Sequence, residues 1–262
     1  MQLRAPAASI LAALHVGCAL SGAAPDVSSP ADAKSEDNAK AAAPNRVSLT
    51  LQQDFGVVHG TDVCTKEAQL TRGFACFRAN GTQYHGSPLS EEGGGPSGAF
   101  PATTRLLLGF DRVLLDNLTL GVRGGFAFRG GGPKPDGAEA PSFLPFHGEA
   151  RAAYWFGSMP FAPSRFRIGL FVAGGIAQVD STFRVRVQED TNKPPPAAQP
   201  TNPAAQTLDA YKKAGTGFIG GGLATACNVT RASALFLEVR FMQLFPSSGS
   251  VIAPEIGYEH GF

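Results

Sequence analysis

From Arg46 to the end of the chain, apolar and polar positions alternate with a period of two. Successive side chains of a strand point to opposite faces, so each such stretch predicts a two-faced strand. In Arg46–Val58, Val47, Leu49, Leu51, Phe55 and Val57 share one face, and Arg46, Ser48, Thr50, Gln52 and Asp54 the other. Thr104–Leu114 sets Leu106, Leu108 and Phe110 against Arg105, Gly109 and Asp111, and Leu118–Phe128 sets Leu120, Val122 and Phe126 against Gly121, Arg123 and Gly125. Phe146–Phe156 opposes Ala150, Ala152 and Tyr154 to His147, Glu149 and Arg151. In Arg165–Ala177 the pairing is Phe166, Ile168, Leu170 and Val172 against Arg167, Gly169 and Ala173. Ala214–Ala226 is blurred by Gly220, Gly221 and Gly222, whereas Ala232–Phe245 is clear, with Leu235, Leu237, Val239 and Phe241 opposing Glu238 and Arg240. Ile252–Phe262 closes the set, with Ile256, Tyr258 and Phe262 opposite Glu255, Gly257 and Glu259. The pattern predicts eight strands.

The polar face mixes Gly and Ala with Arg, Glu, Asp and His, as a narrow interior demands: eight strands leave just enough room for side chains. The other face is apolar for about five consecutive outward positions, the roughly 9–11 residues of a tilted strand crossing a bilayer. Eight such bands make more apolar surface than a soluble monomer leaves exposed. The connections alternate too. Leu115–Asn117, Gly157–Ser164 and Cys227–Arg231 are short; His59–Thr103, Arg129–Pro145 and Gln178–Lys213 are long; Pro246–Val251 is a short exception. Short periplasmic turns and long external loops are the outer-membrane pattern. The expected fold is therefore all-β, an eight-stranded antiparallel up-and-down transmembrane β-barrel over residues 46–262. In this topology Trp155, Phe156, Phe166, Tyr258 and Phe262 collect at the periplasmic rim, and Phe55, Phe126, Phe128, Phe146 and Phe245 at the outer rim. Two aromatic girdles are what the two headgroup regions select.

Composition narrows the function. Lys+Arg number 22 and Asp+Glu 21, and Arg4 is the only charged residue before position 24. This balance excludes a nucleic-acid partner recruited by bulk charge. Residues 1–23 have the order of a secretory signal: a positive head at Arg4, an apolar Ala/Leu stretch, and small residues Ser21-Gly22-Ala23. Cys18 admits a lipoprotein reading, but His15 and Val16 stand where a Leu and a small residue are wanted. Residues 24–45 hold no aromatic residue and should form a flexible periplasmic linker.

The eight alternating segments, the loop alternation and the terminal Phe262 resemble the small eight-stranded outer-membrane barrels of the OmpA/OmpX/OmpW type. The resemblance spans Arg46 to Phe262 as architecture. It implies a C-terminal signal for the barrel-assembly machinery in Ile256, Tyr258 and Phe262, with His260 departing where an apolar residue is usual. It also implies outer-membrane lipid as the surroundings and heat-modifiable gel mobility.

Export permits disulfides. Cys64 and Cys76 share the first external loop, and a bridge there contributes about 3 kcal/mol against the open chain. A metal site is the alternative, but neither has a close Cys or His partner in ligand spacing. Cys227 is expected to be a lone thiol at a periplasmic turn. The Pro-rich stretch Thr191–Pro203 should be extended and mobile. Enzymatic chemistry finds little support: His85-Gly86-Ser87 is the only His-x-Ser and lies in a Gly/Pro-rich loop, while His59, Asp62 and Cys64 have no regular ligand spacing. No cofactor is expected. The inward charges Arg105, Asp111, Arg123, His147, Glu149, Arg151, Arg167, Glu238, Arg240, Glu255 and Glu259 carry more weight. Paired in a dry lumen they form a plug; re-pairing would make a gated solute path. The resulting expectation is a non-enzymatic barrel with a structural or surface-interacting role, an extracellular ligand being met at the loops. A small passive channel and a soluble lipocalin-like carrier are the alternatives.

Overall fold

The computed structural model describes residues 43–59, 63–79, 81–84, 97–130, 143–157, 160–162, 166–188, 205–230 and 232–262. Eleven strands and one helix run in the order β1 (Asn45–Val58), α1 (Lys66–Thr71), β2 (Phe74–Phe77), β3 (Gly98–Leu115), β4 (Leu118–Arg129), β5 (Phe146–Trp155), β6 (Phe166–Ile176), β7 (Val179–Gln188), β8 (Ala205–Ala214), β9 (Gly217–Asn228), β10 (Ser233–Phe245) and β11 (Gly249–Gly261). Eight of them close a barrel in the order β1-β11-β10-β9-β6-β5-β4-β3, every pair antiparallel. These eight correspond to the eight alternating segments of the sequence, with ends shifted by up to a few residues.

The two faces divide as the alternation requires. Val47, Leu49, Leu51, Leu106, Leu108, Leu120, Val122, Ile168, Leu170, Val172, Leu223, Val239 and Ile256 lie exposed on the outer wall, Leu108 at 68% and Val122 at 56%. Arg46, Arg105, Arg123, Arg151, Arg167, Arg240, Glu149, Glu238, Glu255 and Glu259 point inward and are buried, while Arg112, near the end of β3, is exposed. In β1 the alternation persists past a register shift between Gln53 and Phe55 in its pairing with β3. Size is matched across strands: Arg123 lies opposite Gly109, Arg151 opposite Gly121, Trp155 opposite Gly169 and Arg240 opposite Gly222. A Cβ at Gly169 would stand 2.9 Å from the Trp155 ring, so the glycine is what lets the indole lie against the wall.

Beyond the barrel stands a second sheet, of order β2-β8-β7. The arms of the third long loop, read from the sequence as irregular, are strands. Their pairing continues the β6–β9 ladder in the same register, from Ile176↔Gly217 through Ala177 N–H donating to the Thr216 carbonyl to Val179↔Ala214. One long hairpin therefore rises out of the wall and bends at Ala177–Gln178 and Gly215–Thr216, with Gly215 at φ +80. It leans onto the diametrically opposite wall. Asp180 N–H donates to Thr103 Oγ1 at 3.1 Å, Phe183 packs on Phe100 with ring centres 5.2 Å apart, and a Cβ at Gly56 would overlap Ser181 Oγ. The hairpin thus spans the external mouth. Its inner face, Phe183, Val185, Val187, Leu208 and Ala210, forms a small core with Val58, Val63, Ala68, Phe74, Tyr84 and the Cys64–Cys76 disulfide, whose Cα atoms are 5.7 Å apart. Thr65 caps α1 by accepting from the Ala68 N–H. The proposed signal (1–23), nearly all of the linker, His85-Gly86-Ser87, Asp62 and Thr191–Pro203 lie outside the described residues.

Candidate functional site

The inward polar face builds three charge clusters along the lumen. Near the external mouth Arg105 on β3 donates through Nε to Asp54 on β1 at 2.9 Å, and through Nη2 to the carbonyl of Gln178 at 2.6 Å. In the middle, His147 Nε2 meets Glu149 at 3.0 Å, Arg240 pairs with Glu149 and, at 2.7 Å, with Glu255. Arg123 bridges Glu255 at 2.7 Å and Glu238 at 3.1 Å. Arg151 also meets Glu238, at 2.9 Å, and stands 3.9 Å from Asp111. Near the termini Glu259 takes both Arg46 and Arg167, and Arg167 donates to Asn228 Oδ1 at 2.9 Å. All eleven inward charges singled out in the sequence lie in these clusters, Asp111 at the half-buried margin of the central one.

Two members were on the polar face of the sequence pattern but not among those eleven: Arg46 and Asp54. Their parity was the available signal. With them, six arginines face six carboxylates among the described residues. Gln178 and Asn228, uncharged and hence unmarked in the sequence, complete the set; Asn228 Nδ2 holds the 160–162 turn through the Pro160 and Ala162 carbonyls.

Apolar layers close the lumen at both ends. Ala102, Ala173, Ala177, Val179, Phe218, Met242, Leu244 and Val251 pack under the hairpin, and Trp155, Phe161, Phe171, Ala226 and Phe236 fill the periplasmic end. There the Arg167 guanidinium sits between the Trp155 and Phe161 rings, 4.4 and 4.7 Å from their centres. A cavity of about 10 Å³ remains beside Arg46, Asp111, Arg151 and Glu259, room for about one water.

Two expectations are corrected here. Trp155 is not a girdle residue: it is 5% exposed and faces the lumen, because Tyr154 and Phe156 on either side take the outward positions. Cys227 lies within β9 and is disulfide-bonded, not a lone thiol at a turn; the other half of the bond is outside the described residues. Phe156, Phe166, Tyr258 and Phe262 are exposed at the terminal end of the barrel, and Phe126, Phe128, Phe146 and Phe245 at the other, with Phe55 half-buried.

An apolar outer band, with Arg112, Gln243 and His260 only at its margins, around a charged, closed interior inverts the arrangement of a water-soluble protein. Only hydrocarbon covers such a wall favourably. This is a membrane-spanning eight-stranded β-barrel. Charges inside and aliphatic side chains outside dispose of the soluble-carrier alternative.

No family model and no curated protein matches the chain. Among solved structures it is similar to the N-terminal β-barrel domain of Pseudomonas aeruginosa OprF (8% identity, 83% of this chain and 98% of that one, TM-score 0.34). Neisserial surface protein A is similar at 10% identity, over 83% and 97%, with TM-score 0.36, and Ail of Yersinia pestis at 9%, over 84% and 99%, with 0.31.

Proposed function

We propose that the protein is a non-enzymatic, non-conducting outer-membrane barrel that acts through its external sheet. The observation that carries this is the matched interior. A solute path through it would break charge pairs that are each nine-tenths or more buried in most members, and would then have to displace two apolar layers. The external sheet, by contrast, is built to persist: it has its own core, a disulfide and a continuous ladder from the wall. Its outer face offers Thr182, Arg184 and Arg186 to the outside, Arg184 with its side chain 82% exposed and 3.5 Å from Asp209. That face is where an extracellular ligand would be met. Lipid surrounds the wall, and Ile256, Tyr258 and Phe262, outward on or just past β11, are the proposed contact for the assembly machinery. Among the described residues no His/Cys/Asp/Glu group has metal-site geometry. The competing reading, a passive channel, draws on Arg123 being shared between Glu238 and Glu255, which gives the pairs an alternative arrangement. Planar-bilayer recording of the purified protein decides: silence is expected, and steady open steps would establish the channel instead.

A further inference from the structure

We propose that the β7–β8 hairpin is a hinged lid over the external mouth, latched shut by the side chain of Arg105. Three observations place hinge, latch and seat. The hinge lies where the ladder bends, at Ala177–Gln178 and Gly215–Thr216; only there does the hairpin have a left-handed glycine, Gly215, and Gln178 Nε2 donates to the Gly215 carbonyl at 3.2 Å to span the bend. Large closures are absorbed by a few such element-terminal positions. The seat is the far rim, where Ser181 fits onto Gly56, Asp180 N–H onto Thr103, and Phe183 onto Phe100.

The latch is chemically particular. Arg105 is fully buried and its guanidinium divides its donors: Nε holds Asp54 inside the lumen, while Nη2 holds the Gln178 carbonyl at the hinge. A planar fork bonds both at once, which an ammonium on a flexible stem does not. The hinge position is thereby tied to the lumen's charge pairing. Loss of the Nη2 bond to the Gln178 carbonyl releases the hinge. The lid would then uncover the apolar layer at Val179, Phe218 and Leu244 and the charges beneath it. This holds whether or not the lumen conducts, and so stands apart from the closed-barrel reading.

The test is hydrogen exchange, read peptide by peptide, on the full chain in nanodiscs, comparing wild type with Arg105→Lys. The lysine keeps a cation for Asp54 and loses the second hydrogen bond. The expected result is exchange about tenfold faster across Val179–Val187, with Leu106–Val113 unchanged. Unchanged exchange in the hairpin of a folded barrel would overturn the latch, since packing at Phe100 and Gly56 would then suffice. Parallel loosening of hairpin and barrel would overturn it too, because Arg105 would then serve the barrel alone. If Arg105→Lys does not fold, the charge-free pair Asp54→Asn with Arg105→Met is judged by the same comparison.

Discussion

At the scale of single residues, the interior is decided by how each guanidinium is shared. Glu238 receives both Arg123 and Arg151, so its loss leaves two buried cations short of a partner. Breaking a buried pair by removing one side costs about 3–5 kcal/mol. Glu238→Ala should therefore lower unfolding stability by about that amount in denaturant titrations in micelles, and Arg151→Met added to Glu238→Leu should recover most of it. Trp155 offers an independent probe, because it is the sole tryptophan of the chain. Buried beside Arg167, its fluorescence should be unaffected by brominated lipid, which would quench an indole in a headgroup girdle. Strong quenching would return it to the girdle. The sequence held the information to place Trp155: Tyr154 and Phe156 cannot both face lipid unless the residue between them faces in. Aromatic character drew it to the rim in the sequence reading; parity, which is steric, prevailed.

At the scale of elements, each barrel strand was legible because a bilayer imposes one demand on every outward position. Leu108→Arg, near the middle of β3, should cost about 2–4 kcal/mol in refolding titrations into lipid. Thr207→Arg, on the exposed face of β8, should be close to neutral. The external strands were not legible in the same way. β7 does alternate, Phe183, Val185 and Val187 against Thr182, Arg184 and Arg186, but it adjoins the Pro-rich stretch that marked the region as loop. β2 has all four residues buried and so has no alternation to read. Its position follows from the disulfide and from pairing with β8, a contact between residues more than 130 apart. Removing that bridge in Cys64→Ala/Cys76→Ala should withdraw about 3 kcal/mol from the sheet. The expected readout is faster exchange in Phe74–Phe77 with the barrel strands unaltered.

At the scale of the whole molecule, the barrel should show heat-modifiable mobility on gels of the membrane fraction, because its closed ladder leaves no edge from which to unzip. Absence of the shift would count against a closed barrel. Charge balance operates at this scale as well. The near-equality of basic and acidic residues in the chain is mirrored inside, where, among the described residues, six arginines meet six carboxylates drawn from seven of the eight barrel strands. β1, β3, β5 and β10 each carry one inward arginine and one inward carboxylate, whereas β4 and β6 each add an arginine and β11 adds two glutamates, so the balance is completed only when the cylinder closes.

What the chain's own order of residues determined was the number of barrel strands, which face meets lipid, and which charges enter the lumen, because side-chain parity in a strand is local and the bilayer reads it uniformly. What only the tertiary structure decided was which charges pair, how glycines on one strand make room for arginines on the next, and that one loop folds back across the mouth. Those depend on the register in which distant strands meet and on where a long ladder bends. Neither is encoded within the few residues that any one periodicity spans.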